Sequence, residues 1–255
     1  MSEQYRRDGA SVVQRGDLRL LLDPSSLVDR EMLDHGAWES TQIGLMIDAA
    51  RALKDNPRRK LFLDVGAYWG LYSLKMWRLG VFDEILCFEP DANNFAQLEA
   101  QMFLNGASYD IKRIKAAVLD SPGTARLQRS TSIADGNRGS ALIQESSEDS
   151  ELVQAVALDE LLDVKDAILF VKIDVEGSEA RVLAGMRRLL AENDVYLQVE
   201  AFPGFEDRLK DSVPDRLTKV AQLHWDHIFS NLPSLPLQSA SASSLHLLQG
   251  NPLTP

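Results

Sequence analysis

The chain has 255 residues, 45% of them hydrophobic, which is enough for one substantial core but not for two full domains. Its 38 acids against 27 bases leave a net charge of −11, which argues against nucleic acid or an anionic membrane surface as the main partner, because each needs a basic footprint. A single cysteine, Cys87, rules out an internal disulfide, and no apolar run reaches membrane-spanning length. With no apolar signal region at residues 1–8, a soluble cytoplasmic protein is expected, folded as one domain over 1–255 with an extension at 1–58. The extension alternates over 12–22, where Arg15-Gly16-Asp17 predicts a hairpin turn. From Glu39 the period becomes helical, with Ile43, Met46, Ile47, Ala50 and Leu53 on one face and Pro57 beyond the end.

The core begins at residue 59 with the apolar run Leu61, Phe62, Leu63 and Val65, the pattern of a strand buried on both faces. Leu71, Leu74 and Trp77 then recur at helical spacing, so Gly66-Ala67-Tyr68-Trp69-Gly70 is a tight strand-to-helix turn. A second apolar run, Ile85 to Phe88, ends on Glu89-Pro90, and Asp91 is placed to cap a helix that stops at Asn105-Gly106. A third strand is expected over 111–118, with Ala116, Ala117 and Val118 at its exit. Residues 121–154 are rich in Gly, Ser and charge and read as an irregular insertion with short strands. Rhythm returns with a fourth strand at 167–171, a helix at 178–190 and a fifth strand at 196–200. A further helix over 205–223, split at Pro214, is expected next, and then a closing hairpin of 227–229 with 245–248. Strands alternating with helices imply an α/β fold, a doubly wound and mainly parallel Rossmann-like sheet of seven strands.

The ligand of such a sheet lies outside the carboxyl ends of its strands. The turn lacks G-x-G and G-K-[ST], which counts against a dinucleotide or a P-loop nucleotide. Instead Asp64 precedes the glycines and Glu89 closes the next strand, 25 residues later (89 − 64), close to the ~20 residues at which a ribose-binding acid follows a glycine motif. A carboxylate at Glu89 can accept both hydrogen bonds of a ribose diol, and an acid at Asp64 suits a cationic ligand. This combination points to S-adenosylmethionine, with Asp64, Gly66, Ala67, Tyr68, Trp69, Gly70, Glu89, Pro90 and Ala117 as candidate contacts.

Phe62-Leu63-Asp64-Val65-Gly66-Ala67-x-x-Gly70, Phe88-Glu89-Pro90, Ala157-Leu158-Asp159-Glu160-Leu161 and Lys172-Ile173-Asp174-Val175-Glu176-Gly177-x-Glu179 resemble, in order and spacing, the motif series of FkbM-type S-adenosylmethionine-dependent methyltransferases. The resemblance implies a class I methyltransferase fold and methylation of a hydroxyl on a sugar, glycan or natural product. A carboxylate or amine acceptor, or a non-catalytic binding protein, is the alternative. Asp174, at the end of the fourth strand, is the first candidate for the proton acceptor, against a helix-start role; it also counts among the candidate cofactor contacts. Glu200 is the second candidate, and Lys172 either reaches the crevice or pairs with an acid. Glu176, Glu39, His35 and Arg138 are candidate acceptor contacts, with Arg126 and Arg129 beside Arg138 in a segment that equally reads as solubilising charge. Segments 129–151 and 30–40 are expected to close over the acceptor. Asp174, Glu176 and Glu200 carry oxygen donors, but no dedicated metal motif is present, and no metal is expected. The oligomeric state stays open between monomer and homodimer.

Overall fold

The computed structural model describes residues 9–129, 142–144, 150–202, 204, 209, 211–233 and 235. The extension opens with the expected hairpin, β1 (Ser11–Arg15) and β2 (Leu18–Leu22), whose alternation buries Leu18, Leu20 and Leu22. α1 (Leu27–Asp34) is not among the predicted elements, although Ser26 stands at its N-cap and Met32 is buried on its inner face. α2 (Ser40–Ala52) buries Ile43, Met46, Ala49 and Ala50, close to the predicted stripe.

The core then runs β3 (Lys60–Val65), α3 (Leu71–Leu79), β4 (Glu84–Phe88), α4 (Ala92–Asn105) and β5 (Ile111–Ile114). Asp91 caps α4 as expected, accepting the N–H groups of Asn93 and Asn94, and Gly106 ends it at φ +74°. Next come β6 (Ala117–Val118), β7 (Gly123–Gln128), β8 (Leu142–Gln144), β9 (Glu151–Val156), α5 (Leu158–Leu161), β10 (Ile168–Ile173), α6 (Glu179–Ala184), α7 (Arg187–Glu192), β11 (Asp194–Glu200), β12 (Thr218–Leu223) and β13 (Asp226–Ser230). The large sheet has seven strands in the order β12-β13-β11-β10-β3-β4-β5, parallel from β11 to β5, with β13 antiparallel between β11 and β12. The chain moves outward through β4 and β5, then returns to the other side of β3 as β10. The crevice of a doubly wound sheet therefore opens at the ends of β3 and β10.

Four local expectations are corrected. The strand over 111–118 breaks after Ile114, because Ala117 and Val118 leave the large sheet and pair with β9. The insertion carries the expected short strands, but where it is described they are joined in a second sheet, in the order β6-β9-β7-β8, with Leu127, Val153 and Ala155 inside. The helix over 178–190 is two helices. At Gly185 a Cβ would lie 2.0 Å from the Leu119 carbonyl oxygen, and Asp159 accepts the N–H groups of Arg188 and Leu189 to start α7 afresh. The apolar positions Val182, Leu183, Met186 and Leu190 all stay buried, so periodicity alone does not register the break. Finally, 218–223 is a strand rather than helix, and it is this strand that pairs with β13 to close the sheet. Residues 245–248 lie outside the described residues.

Register explains how the sheet builds its site. Side chains alternate between faces along each strand, and the pairing aligns Ile85, Phe62, Phe170, Tyr196 and Ser230 in one row across five strands. Two residues further along on the same face comes the row Cys87, Asp64, Lys172, Gln198 and Ile228. One more step, just past the strand ends, brings Glu89, Gly66, Asp174, Glu200 and Asp226, of which Glu200 and Asp226 are a register pair. This face is covered by the hairpin, α2, α3 and α4. The opposite face, with Leu61, Leu63, Val65, Leu169, Val171, Ile173, Leu197 and Val199, packs apolar side chains against α6 and α7 over its whole length.

Candidate active site

A cleft opens where the polar end of that face meets the covering elements. Asp64, Gly66, Ala67, Tyr68, Trp69, Glu89, Pro90, Ala117, Lys172, Asp174, Glu176, Glu200 and Glu39 all line it. Of the other candidates, Gly70 does not line it but starts α3 at φ +86°. His35 is exposed at the end of α1, 3.8 Å from Glu31, and lies away from the cleft. Arg138 lies outside the described residues, as does most of 129–151. Arg129 is ion-paired with Glu151 at 2.6 Å and with Asp91, and exposed Arg126 donates to Ser150. In segment 30–40, Trp38 and Glu39 reach the cleft.

The glycine turn is held by its own protein. The N–H groups of Gly66 and Ala67 both donate to the Phe88 carbonyl, at 3.0 and 2.9 Å. Gly66 has φ +82°, and a Cβ there would stand 1.8 Å from the Asp174 carbonyl oxygen. At Gly70 a Cβ would meet Leu98 and Met102 at 2.5 and 2.8 Å. The close approaches these glycines permit are thus of β10 and α4, not of a ligand. Asp64 is likewise tied down: its Oδ2 accepts the Ser73 N–H at 3.1 Å and the Ser73 hydroxyl at 2.7 Å, anchoring the first turn of α3. Burial pushes its carboxyl up to about 6. Glu89 accepts the N–H of Tyr68 at 3.0 Å on one oxygen and that of Asp91 at 2.8 Å on the other. Burial pushes it up to about 8. Trp69 is buried in the core at 1% exposure, and the Tyr68 hydroxyl lies 2.6 Å from that of Ser26.

The β10–β11 side is a continuous polar network. Gln198 donates to Asp226 at 2.8 Å and to the Tyr72 hydroxyl at 3.1 Å, and that hydroxyl donates to Glu39 at 2.7 Å. The Lys172 ammonium stands 3.7 Å from Glu39, 2.9 Å from Asp174 and 4.7 Å above the Tyr72 ring. Burial opposes its charge, but the carboxylates of Asp174 and Glu39 outweigh burial and hold Lys172 well above the usual lysine range. Asp174 and Glu200 lie close enough in the cleft for the charge state of each to act on the other. Burial pushes both up. For Asp174 the Lys172 charge reverses this and holds it below the usual range, whereas the neighbouring negative charge raises Glu200 further. The Lys172 charge thus favours the ionised form of Asp174, and the Asp174 charge opposes ionisation of Glu200. Burial, together with Asp174 and Glu179, raises Glu176 to about 7.

Backbone strain collects at the same place. Among the described non-glycine residues with positive φ, Glu39 (46°), Tyr68 (52°) and Glu176 (54°) all line the cleft. Reasoning from the sequence missed Tyr72, Gln198, Asp226, Phe202 and Trp225. Gln198 carries a readable signal: a glutamine inside the otherwise apolar run Tyr196-Leu197-Gln198-Val199 is buried on either face and needs a polar partner. Among the described residues, no group of three His, Cys, Asp or Glu is arranged to hold a metal ion, and no helix is long and apolar enough to cross a membrane.

A family model described as the methyltransferase FkbM domain matches residues 64–230, more than half of the chain. The chain belongs to this methyltransferase family. The matched segment carries the glycine turn, Glu89, Lys172, Asp174 and Glu200, but not the extension that brings Trp38 and Glu39 to the cleft. No curated protein matches the chain. Among solved structures it is similar to a methyltransferase FkbM from Methylobacillus flagellatus KT, at 19% identity and a TM-score of 0.46, covering 67% of this chain and 43% of that one. It is also similar to a ribosomal protein L11 methylase from Lactobacillus delbrueckii subsp. bulgaricus, at 14% identity, 86% and 96% coverage and a TM-score of 0.45. A SAM-dependent methyltransferase from Agrobacterium tumefaciens gives 8% identity, 88% and 70% coverage and a TM-score of 0.47. Membership rests on the family model alone.

Proposed function

We propose that this methyltransferase uses S-adenosylmethionine to methylate a hydroxyl group of a sugar, glycan or natural product. The observation that carries the reading is the Lys172 ammonium 2.9 Å from Asp174, with Asp174, Glu200 and buried Glu89 lining one cleft. The residues present fit the cofactor. Glu89 accepts the Tyr68 N–H on one oxygen and, on the other, the Asp91 N–H and at 3.5 Å the Asn94 amide; a carboxylate offers about four acceptor positions, so one remains for a ribose hydroxyl. Ala116, Ala117, Val118, Leu127 and Ile143 together line the cleft, a small apolar surface suited to a flat base. An acid-rich wall suits a sulfonium and an ammonium.

When bound, the cofactor supplies an electrophilic methyl group. The chain's own residues must then align the acceptor oxygen and remove its proton. Asp174, whose charged form the Lys172 ammonium favours, takes that proton as the C–O bond forms rather than beforehand, whereas the neighbouring negative charge disfavours the charged form of Glu200. Lys172 donates to Asp174 and holds its orientation, while the Lys172–Glu39–Tyr72 contacts fix the ammonium. The test is a labelled-methyl transfer assay against sugars, nucleotide sugars and glycan fragments, with the product identified by mass. Calorimetry showing tight NAD binding and none of S-adenosylmethionine, or a product methylated on nitrogen or a carboxylate, sinks the reading.

A further inference from the structure

The polar row at the strand ends spans four strand intervals from Glu89 on β4 to Asp226 on β13, about 19 Å at ~4.8 Å per interval. Beyond Asp174 it ends in aromatic side chains. Phe202, two residues past the end of β11, and Trp225, in the tight β12–β13 turn, both line the cleft and meet edge to face with ring centroids 4.9 Å apart. Their placement is built in. The Trp225 carbonyl accepts the Ala201 N–H at 2.8 Å, tying the hairpin turn to the exit of β11, and His224, held at φ +55°, stacks on the Trp225 ring at 4.3 Å. Trp225 nevertheless leaves 37% of its surface exposed, although it lies beside a cleft. Charge narrows what can sit there. Lys172 is the one cation among the described lining residues, and Asp174 and Glu39 already hold it, whereas Glu39, Asp174, Glu176 and Glu200 supply four carboxyl groups.

We infer that Phe202 and Trp225 form the acceptor subsite, a platform for the apolar C–H face of an uncharged ring whose hydroxyl groups donate to the surrounding carboxyl groups, and that acceptors carrying a phosphate, sulfate or carboxylate are excluded. The inference rests on the methyltransferase reading only in assigning the Glu89 end to the cofactor. An aromatic face takes up C–H-rich surface without a polar partner, while carboxylates accept from hydroxyls and repel anions desolvated beside them. The subsite combines both, and among the described lining residues the one cation, Lys172, is already held by Asp174 and Glu39.

The experiment is saturation-transfer-difference NMR on the full chain, with and without S-adenosylhomocysteine, using methyl glucoside, methyl galactoside, methyl mannoside and the 6-phosphate of each as probes. Calorimetry of S-adenosylhomocysteine is run on the same samples. Expected are ring C–H signals from at least one neutral glycoside, lost at least fivefold in Trp225→Ala, kept within twofold in Trp225→Phe, and missing for the phosphates. Phosphates that bind as well as their parents overturn the inference. So does a neutral-glycoside signal unchanged in a folded Trp225→Ala protein, or no signal from any neutral glycoside. Absent S-adenosylhomocysteine binding counts against the cofactor reading, and the glycoside signal of the free chain then still decides the subsite.

Discussion

The two faces of the same strands differ in a way that separates stability from chemistry. On one face, Leu61, Leu63, Val65, Leu169, Val171, Ile173, Leu197 and Val199 stay apolar to the strand ends and pack against α6 and α7. On the other, the rows grade from Phe62, Phe170 and Tyr196 through Asp64, Lys172 and Gln198 to Glu89, Asp174 and Glu200. A side-chain period of two lets one short strand do both tasks, since substitution on one face leaves the other in place. The cost of the polar face is the desolvation of its carboxyls, which hydrogen bonds to protein N–H groups and the Lys172 ammonium offset.

The sharpest test of that separation is Asp174→Asn. Volume and much of the hydrogen bonding are kept but the basic oxygen is lost, so turnover should fall by about 10² to 10⁴ with cofactor affinity nearly unchanged. Near-normal turnover of the folded variant would leave alignment as the main catalytic contribution. On the opposite face, Leu197→Ala should cost about 2–5 kcal/mol in denaturant unfolding, while the molecules that remain folded keep their turnover. A comparable loss of turnover in that fraction would mean the faces are coupled.

Glu89→Ala should weaken S-adenosylmethionine roughly 30- to 150-fold, equivalent to about 2–3 kcal/mol, as read by calorimetry. It also strands the N–H groups of Tyr68 and Asp91, so a loss of about 1–3 kcal/mol in stability is expected alongside. Glu89→Gln, which keeps an acceptor, should recover part of the stability before it recovers affinity. Unchanged affinity in both variants would detach Glu89 from the cofactor.

A further test is the pH dependence of stability. Asp64, Glu176 and Glu89 have folded values raised to about 6, 7 and 8, so the ligand-free folded state binds protons more tightly than the unfolded chain. Their contribution is complete below the unfolded carboxylate range and is lost as pH rises through those values. Asp174, held low by Lys172, contributes in the opposite sense, but that contribution is already complete above the unfolded range. Stability should therefore fall between pH 5 and pH 8, by at most ~1.4 kcal/mol per pH unit for each group, the melting temperature falling with it, and Glu89→Gln should flatten the upper part of the curve. A melting temperature that rises across this window contradicts the burial of these acids.

Much of the architecture was legible because it depends on local pattern. Apolar runs at 61–65, 85–88 and 167–171 mark the inner strands, Asp91 and Gly106 bound α4, and Arg15-Gly16-Asp17 turns the hairpin. Asp64, Glu89, Lys172, Asp174 and Glu200 could be chosen from the sequence because acids and a lysine at the ends of apolar strands have few structural reasons to be there. What those residues hold was not legible, since a hydrogen-bond partner is set by register and packing between distant segments. Only the fold shows that Asp64 anchors Ser73, that Gly66 makes room for the Asp174 carbonyl, and that Asp159 restarts a helix whose apolar spacing never falters. Nor can a sequence say which of two neighbouring acids is favoured in its charged form. The Lys172 ammonium 2.9 Å from Asp174 favours that of Asp174, a local contact whose consequence for Glu200 depends on β11 lying alongside.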